Sequence, residues 1–205
     1  MAQVDLRPYG RAALLATPGR AASVPAFAAA ARALPGVVEV VPGARTVLVR
    51  FAGPDDVPAG RAELADLPTP ADPPADAVGS DPVVLYVVYD GPDLADVAAA
   101  VGLSPAALVR RHTEPLHVVA FCGFSPGFAY LSGLPAELHV ARLPEPRTRV
   151  PAGAVGIAAG YSGIYPRESP GGWRLLGRTA ATLWDADRDP PALLTPGTRV
   201  RLRPA

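Results

Sequence analysis

Four arginines in the C-terminal half lie beside turns rich in proline and glycine, and they are the strongest candidates for ligand binding. Residues 123–178 hold 17 prolines and glycines among 56 residues, and the arginines at these turns are Arg147, Arg149, Arg174 and Arg178. A guanidinium group binds a carboxylate through two parallel hydrogen bonds. We therefore predict a small carboxylate as the ligand and favour Arg147 and Arg178, which each adjoin a bend. A solvated rim explains any one of the four equally well.

Aromatic residues are interleaved with these turns in two stretches, residues 121–131 and 163–173. Rigid proline and permissive glycine fix unusual backbone geometry and let a ligand approach main-chain N–H groups. Residues 169–172 (Ser-Pro-Gly-Gly) can form a nest of N–H donors for an anion, with a tight turn capped by Trp173 as the alternative. The predicted substrate-binding residues are Phe124, Pro126, Gly127, Tyr130, Tyr165, Ser169, Gly171 and Gly172.

The chain lacks a self-sufficient set of catalytic side chains. His117 begins an apolar strand and is predicted to be catalytic together with Arg147 and Arg178, with a core or capping role for the histidine as the alternative. Cys122 lies in an apolar strand pattern that favours a buried, inert thiol. A proline follows Ser125, which removes the backbone N–H that a nucleophile elbow uses for its oxyanion hole.

Composition excludes several classes of protein. All 19 basic residues are arginine, so no lysine can form a Schiff base or serve a phosphate-binding loop. One cysteine and three histidines exclude a disulfide framework and a Cys/His zinc cluster, and we predict no metal ligand. The basic charge is too small and too dispersed for nucleic acid. Without an 18-residue apolar run or a signal peptide, the chain is expected to be cytoplasmic and soluble, with no membrane contact.

The chain divides into two parts of different character. Residues 1–96 carry 12 acidic residues and 7 arginines, whereas residues 97–184 carry 4 and 8. In the first part the pattern predicts a strand, a helix, a hairpin and a weaker helix, over residues 12–16, 23–34, 37–51 and 55–67. This order suggests a small ferredoxin-like α+β domain over residues 1–80, completed by a later strand. Proline-rich residues 66–82 are predicted to be a linker.

The second part, residues 83–205, has a pattern typical of a β-barrel. Residues 83–89 are seven consecutive strand formers, too hydrophobic for an exposed edge strand, and two short helices follow over 94–101 and 104–112. Short apolar segments then alternate with turns, at residues 116–121, 155–159, 173–176, 180–184 and 200–202. This alternation predicts a closed or nearly closed barrel with the ligand pocket at its mouth.

Three ordered motifs resemble the family that contains the B subunit of 5-oxoprolinase, the sporulation kinase inhibitor KipI and allophanate hydrolase subunit 1. The motifs are residues 121–134 (FCGFSPGFAYLSGL), 146–158 (PRTRVPAGAVGIA) and 163–179 (GIYPRESPGGWRLLGRT), and residues 194–202 look like the end of the family's sequence. The resemblance implies a small α+β domain followed by a cyclophilin-like β-barrel. The expected fold class is therefore α+β, with a ferredoxin-like first domain.

The resemblance also implies a function that several chains share. It implies the B subunit of an ATP-dependent 5-oxoprolinase, which cleaves 5-oxoproline to glutamate together with an A subunit and a carboxyltransferase-like C subunit. ATP, accompanied by Mg²⁺, would be used by the complex, and an active site shared with the C subunit fits the incomplete catalytic set. The alternatives are a KipI-like inhibitor that binds a sensor histidine kinase and a component of the allophanate hydrolase or urea amidolyase type. Tyr161 stands where many relatives have glutamine, which removes an amide that could bind a polar substrate.

Overall fold

The computed structural model describes residues 4–19, 23–68 and 81–205 of the chain. These residues form two compact units, one before and one after residue 80. Residues 69–80 of the predicted linker lie outside the described residues. Within the described ranges, no helix combines the length and the apolar character needed to cross a membrane.

The first unit is a four-stranded antiparallel sheet with two helices. Its elements are β1 (Asp5–Pro8), β2 (Ala13–Thr17), α1 (Val24–Arg32), β3 (Val37–Pro42), β4 (Val47–Phe51) and α2 (Val57–Asp66). The strand order is β1-β2-β4-β3. Apolar residues of α1 recur at the helical spacing of three and four, and they pack on alternate residues of β2 and β4. The buried core contains Leu14, Ala16, Val24, Phe27, Ala28, Ala31, Val47, Val49, Phe51 and Leu64.

The fourth strand of this sheet precedes the others, which corrects the prediction of a later strand. Strand β1 pairs with β2 from Asp5↔Thr17 to Pro8↔Leu14. Its residues are mostly exposed, so the strand carries little apolar signal of its own. It is formed because the hairpin to the buried strand β2 supplies its backbone partners. The predicted strand, helix, hairpin and second helix are present, and the ferredoxin-like assignment of this unit stays a prediction.

The second unit is a nearly closed sheet of seven strands with a separate two-stranded ribbon. Its strands are β5 (Val83–Val87), β6 (His117–Cys122), β7 (Ala129–Ser132), β8 (Arg147–Val150), β9 (Ala154–Ala158), β10 (Tyr161–Ile164), β11 (Ser169–Gly171), β12 (Arg174–Arg178) and β13 (Arg199–Pro204). The large sheet runs β12-β9-β10-β7-β6-β13-β5, and β11 pairs with β8. The ends of the large sheet meet where Val88 and Arg178 exchange backbone hydrogen bonds of 2.8 and 2.9 Å. This sheet fits the predicted cyclophilin-like barrel.

Strand β5 is the last strand of the sheet, so the prediction that residues 83–89 avoid an edge is wrong. Among the described residues, β5 pairs in parallel with β13 alone. Its outward side chains Val84 and Tyr86 are 42% and 61% exposed, whereas the alternate positions face the core. The chain then leaves β5 and pairs with β12 through the backbone of Gly91 and Asp93. The edge is therefore closed at one end by the following segment, which residue types alone do not reveal.

Two short helices pack on the barrel, as the sequence predicts. They are α3 (Leu94–Ala100) and α4 (Pro105–Thr113). Helix α4 begins after Ser104, whose Oγ accepts a hydrogen bond of 3.2 Å from the N–H of Ala107. Proline at the first helical position suits this start because its missing N–H would have no partner there. Helix and barrel residues share one buried cluster, which contains Val97, Ala98, Leu108, Leu134, Leu138, Ile157 and Leu176.

Residues 180–184 form no regular strand, although the sequence predicts one there. Leu183 packs in the barrel core. Arg188 donates hydrogen bonds of 2.8 to 3.5 Å to the carbonyl oxygens of Thr182, Leu183 and Pro191. The guanidinium thus supplies donors that a neighbouring strand would otherwise supply. Strands β7, β8, β10 and β11 were not predicted because glycine, proline and polar residues dilute their apolar signal.

Candidate functional site

Seven aromatic residues come together on the outward face of the barrel strands. Along β7 and β10 the aromatic positions alternate with core residues such as Leu131 and Ile164, so they lie on the opposite face of the sheet. Ring centroids in this aromatic cluster are 4.2 to 6.2 Å apart, and its members are Phe121, Phe124, Phe128, Tyr130, Tyr161, Tyr165 and Trp173. Phe128, Tyr165 and Trp173 are buried in this cluster, whereas Phe124 is 59% exposed. The ligand pocket predicted at the barrel mouth stays a prediction.

Glycine makes this aromatic packing possible at two positions. A Cβ at Gly163 would lie 2.8 Å from the ring of Trp173 and 2.9 Å from that of Phe128. A Cβ at Gly171 would lie less than 3.0 Å from the hydroxyl of Tyr165. Real Cβ atoms do not approach other groups so closely, so larger residues do not fit. Residues 169–171 thus form strand β11 instead of the predicted nest of N–H donors.

The turn between β6 and β7 carries Phe124, Pro126 and Gly127. Phe124 has a φ of 69° and is 59% exposed, and its ring centroid is 6.2 Å from that of Tyr165. Gly127 has a φ of 83°, and a Cβ there would lie 2.7 Å from the Cβ of Trp184. A left-handed conformation costs a residue other than glycine about 1–2 kcal/mol. The turn therefore keeps an aromatic ring in contact with solvent at some expense in backbone strain.

Arg147 is held between a buried acid and a backbone carbonyl. Its Nη2 donates to Oδ1 of Asp93 at 2.7 Å, and its Nη1 donates to the carbonyl oxygen of Trp173 at 3.4 Å. The side chain of Arg147 is 28% exposed and that of Asp93 is 7% exposed. In the ribbon, Arg147 lies opposite Gly171. The guanidinium is therefore fixed beside the residues that surround the hydroxyl of Tyr165.

The phenol ring of Tyr165 is buried, with 1% of the residue exposed. Burial raises the pKa of Tyr165, so its hydroxyl stays protonated at neutral pH. The ring centroid lies 5.3 Å from that of Phe128, and the hydroxyl fills the space that a Cβ at Gly171 would take. The structure thus brings together Arg147, Tyr165, Gly171, Gly172, Phe124 and Tyr130 from the predicted set.

Arg178 lies in a different environment from Arg147. Its guanidinium pairs with Asp90 at 2.9 Å, with 66% and 46% of the two side chains exposed. Arg149 similarly pairs with Glu168 at 2.6 Å on the surface. Exposed ion pairs contribute little to stability because water screens them. The catalytic role predicted for Arg178 stays a prediction.

His117 lies in the interior of the second unit, apart from the aromatic cluster. Its Nε2 is 2.9 Å from the carbonyl oxygen of His112, its Nδ1 is 3.3 Å from that of Ser132, and burial lowers its pKa. His112 is also fully buried, with Nδ1 2.7 Å from the hydroxyl of Tyr89 and Nε2 2.8 Å from that of Ser162. Burial, helped by His117, lowers the pKa of His112 to about 3. The catalytic role predicted for His117 stays a prediction.

The described part of the chain contains neither an activated thiol at Cys122 nor a group of metal-ligating side chains. Cys122 is half-buried, burial raises the pKa of its thiol, and Sγ is 3.6 Å from the carbonyl oxygen of Leu194. A protonated thiol is a weak nucleophile, which agrees with the inert role predicted for Cys122. Across residues 4–19, 23–68 and 81–205, no three His, Cys, Asp or Glu side chains are grouped as metal ligands.

Asp93 belongs to this site, and the sequence carries only a weak signal for it. Asp93 is 54 residues from Arg147 along the chain and directly precedes helix α3. An acid in that position is ordinarily explained as a helix cap. Asp93 reaches the site through a tertiary contact that no local pattern encodes.

Comparison with known proteins matches nearly the whole chain to one family. The family described as the carboxyltransferase domain, subdomain C and D, matches residues 4–194. The B subunit of 5-oxoprolinase from Escherichia coli O157:H7 is 43% identical over 174 residues, which cover 83% of this chain and 79% of that protein.

Solved structures show the same fold in longer chains. The crystal structure of TTHA0988 is 36% identical with a TM-score of 0.77, and it covers 98% of this chain. This chain spans only 41% of that protein. The urea amidolyase of Kluyveromyces lactis has a TM-score of 0.71 at 20% identity, with 98% of this chain and 15% of that one covered. At such low identity the second likeness concerns the fold alone.

Proposed function

Because the chain belongs to the family of the carboxyltransferase domain, subdomain C and D, we propose that it is the B subunit of an ATP-dependent 5-oxoprolinase. The complex opens the ring amide of 5-oxoproline to give glutamate. Water adds its oxygen to the carbonyl carbon, the ring C–N bond breaks, and the nitrogen gains a proton while ATP hydrolysis drives the reaction. The similarity to the B subunit of the Escherichia coli enzyme carries this proposal.

The substrate site in this proposal is the surface around Arg147 and Tyr165. The guanidinium of Arg147 binds the carboxylate of 5-oxoproline through its free N–H donors, while the buried Tyr165 packs behind Gly171, the residue opposite Arg147 in the ribbon. Phe124 and Tyr130 supply apolar surface for the five-membered ring. Gly171 leaves room for the Tyr165 hydroxyl, which a Cβ at that position would displace. The remaining predicted residues shape the neighbouring turn and ribbon, namely Pro126, Gly127, Ser169 and Gly172.

The groups that activate water come from a partner chain in this proposal. Within the described residues, Asp93 is occupied by Arg147 and the N–H of Leu175, so it is no free base beside Tyr165. His117 lies in the interior with both ring nitrogens at backbone carbonyls. We therefore propose an active site shared with the C subunit of 5-oxoprolinase, and assembly with the A subunit. ATP enters with Mg²⁺ as a co-substrate of the whole complex, and no residue of this chain is assigned to either.

Reconstitution tests the activity. The chain is co-expressed with the A and C subunits from the same source, and glutamate formation from 5-oxoproline and ATP is followed. We expect glutamate from the full set and none when this chain is left out. A full set that assembles and yet forms no glutamate would refute the proposed function, and binding to a sensor histidine kinase or turnover of allophanate would then favour an alternative.

The substrate site is tested with two arginines of the same strand. Arg147→Lys keeps a positive charge beside Asp93 but loses the planar fork, so we expect kcat/KM for 5-oxoproline to fall about tenfold or more. Arg149→Lys is the control, because Arg149 is exposed and pairs with Glu168. Its kcat/KM should stay within about twofold of the wild type. Equal losses in both variants would place substrate binding elsewhere.

A further inference from the structure

Asp93 lies where the barrel closes, and the fold fixes it independently of Arg147. Its Oδ2 accepts the N–H of Leu175 at 2.6 Å, and its own N–H donates to the carbonyl oxygen of Leu175 at 3.1 Å. Its carbonyl oxygen accepts the N–H of Val97 in helix α3 at 2.9 Å. Asp93 is only 5% exposed. The remaining carboxylate oxygen, Oδ1, is thereby aimed by strand β12 and helix α3 together.

The bond from Arg147 to this oxygen sets the orientation of the guanidinium. A buried carboxylate is stable only with good partners, so the 2.7 Å bond between Arg147 Nη2 and Asp93 Oδ1 is strongly favoured. A guanidinium has five N–H donors, of which Asp93 and the carbonyl of Trp173 take one each. The other donors remain for a ligand.

The exposure of Arg147 leaves part of its guanidinium within reach of a ligand. Its side chain is 28% exposed, whereas that of Asp93 is 7% exposed. The donors that Asp93 and Trp173 leave free are fixed in one plane, and such a planar fork suits a carboxylate.

We propose that Asp93 is a positioning residue, which holds Arg147 so that the free N–H donors of its guanidinium bind the carboxylate of a small acid. The identity of that acid as 5-oxoproline rests on the proposed function, whereas the positioning role concerns carboxylates in general. A purely structural role for Asp93 would change the binding of every ligand alike. A positioning role changes the binding of carboxylates only.

Two lactams that differ by one group test this distinction. 5-Oxoproline and 2-pyrrolidinone share the five-membered ring, and only the first has a carboxylate. Their affinities for the assembled complex are measured by titration calorimetry in the wild type, in Asp93→Asn and in the control Glu168→Gln. Glu168 belongs to the exposed ion pair with Arg149, whose carboxylate and guanidinium are 2.6 Å apart.

We expect Asp93→Asn to weaken 5-oxoproline about tenfold or more, because an amide no longer holds the guanidinium by charge. The affinity for 2-pyrrolidinone should stay within about twofold, and Glu168→Gln should leave both affinities unchanged. An equal loss for both lactams in Asp93→Asn would make Asp93 structural. Unchanged affinity for 5-oxoproline would also overturn the positioning role.

The binding of acetate tests the positioning role of Asp93 independently of the proposed function. Acetate should raise the thermal midpoint of the wild-type complex relative to chloride at equal ionic strength, and Asp93→Asn should abolish the rise. A complex with this acetate response but no turnover of 5-oxoproline would refute the oxoprolinase and leave the positioning role standing. A wild-type complex that binds neither acetate nor 5-oxoproline would refute the positioning role.

A second variant covers the case in which Asp93→Asn does not fold. In Asp93→Asn/Arg147→Gln two neutral amides replace the ion pair and can hydrogen-bond to each other. Neutral replacement of a buried ion pair is often tolerated, whereas removal of one partner is not. The double variant should fold, bind 2-pyrrolidinone normally and bind 5-oxoproline about tenfold more weakly. Wild-type affinity for 5-oxoproline in the double variant would overturn the proposal.

Discussion

His112 should make the free energy of unfolding of the second unit depend on pH, and replacing His112 by glutamine should remove that dependence. The ring is fully buried between helix α4 and strand β10, with both nitrogens hydrogen-bonded to hydroxyl groups. Burial first, and the neighbouring His117 second, lower the pKa of His112 from 6.5 to about 3. Between these two pH values the unfolded chain binds a proton at His112 that the folded chain does not bind. The free energy of unfolding therefore falls as the pH falls through this window.

The size of the effect follows from linkage. One proton difference changes the free energy of unfolding by about 1.4 kcal/mol per pH unit. At pH 4 the pH lies roughly 2.5 units below the unfolded pKa of His112, so the free energy of unfolding is lower than at pH 7 by roughly 3 kcal/mol. Above pH 6.5 the contribution is constant, because neither state binds the proton. Against a typical total of about 5–15 kcal/mol, this loss is large.

The assay compares the wild type with His112→Gln by urea unfolding at pH 7, 6, 5 and 4. Both tryptophans, Trp173 and Trp184, belong to the second unit, so their fluorescence reports its unfolding. At pH 7 the variant should be less stable by about 1–3 kcal/mol, because glutamine does not reproduce the two hydrogen bonds that the ring nitrogens make with Tyr89 and Ser162. That gap should close by roughly 3 kcal/mol by pH 4, because glutamine does not titrate. Carboxylates act in both proteins and cancel in the difference, whereas the effect of His117 on His112 exists only in the wild type and is part of the expected change.

The exposed Arg110 of helix α4 supplies the control, since Arg110→Gln leaves His112 and both of its hydroxyl partners in place and should keep the pH dependence of the wild type. The result that would refute the linkage is a constant stability gap between the wild type and His112→Gln from pH 7 to pH 4. A constant gap would mean that folding does not suppress protonation of His112.

Two further predictions concern glycines that allow close approach. Gly171→Ala should lower the free energy of unfolding by about 1–3 kcal/mol, because its Cβ meets the Tyr165 hydroxyl. Gly172→Ala is the control, and it should change the free energy of unfolding by less than about 1 kcal/mol because the nearest atom lies 3.6 Å from the added Cβ. Equal thermal midpoints of the two variants would contradict this prediction. Gly177→Ala should open the barrel closure because its Cβ meets the carbonyl oxygen of Val88. Hydrogen exchange of the Val88 amide should then speed up, and an unchanged rate would contradict the expectation.

Local signals in the sequence sufficed for most elements of the fold. Helix α4 was predictable because Ser104 and the proline after it form a start signal, and the structure shows the Ser104 cap. Strands β2, β3 and β4 were predictable from β-branched runs and their turns. By contrast, β1 and the strands rich in glycine depend on partners elsewhere in the chain. The residues of these strands show too little apolar periodicity to predict a strand.

The candidate site was predictable in its residue types and less so in its geometry. The aromatic and glycine residues around Tyr165 are visible as motifs, and an adjoining bend favours both Arg147 and Arg178 among the arginines. The sequence did not distinguish Arg147 from Arg178, since both adjoin bends. The structure separates them, because Arg147 pairs with a buried acid and Arg178 with an exposed one. Burial of the partner depends on the closed barrel and has no local signature.

The sequence by itself determined the family, the mixed α and β composition and the set of aromatic, glycine and arginine residues from which the site is made. These features are local, because motifs, turn residues and apolar periodicity act over a few neighbouring positions. Only the tertiary structure decided that the aromatic cluster lies on the outer wall of the barrel and that Asp93 meets Arg147 across 54 residues. A buried charge takes its partner from whichever segment the fold brings to it, and that choice depends on how the barrel closes.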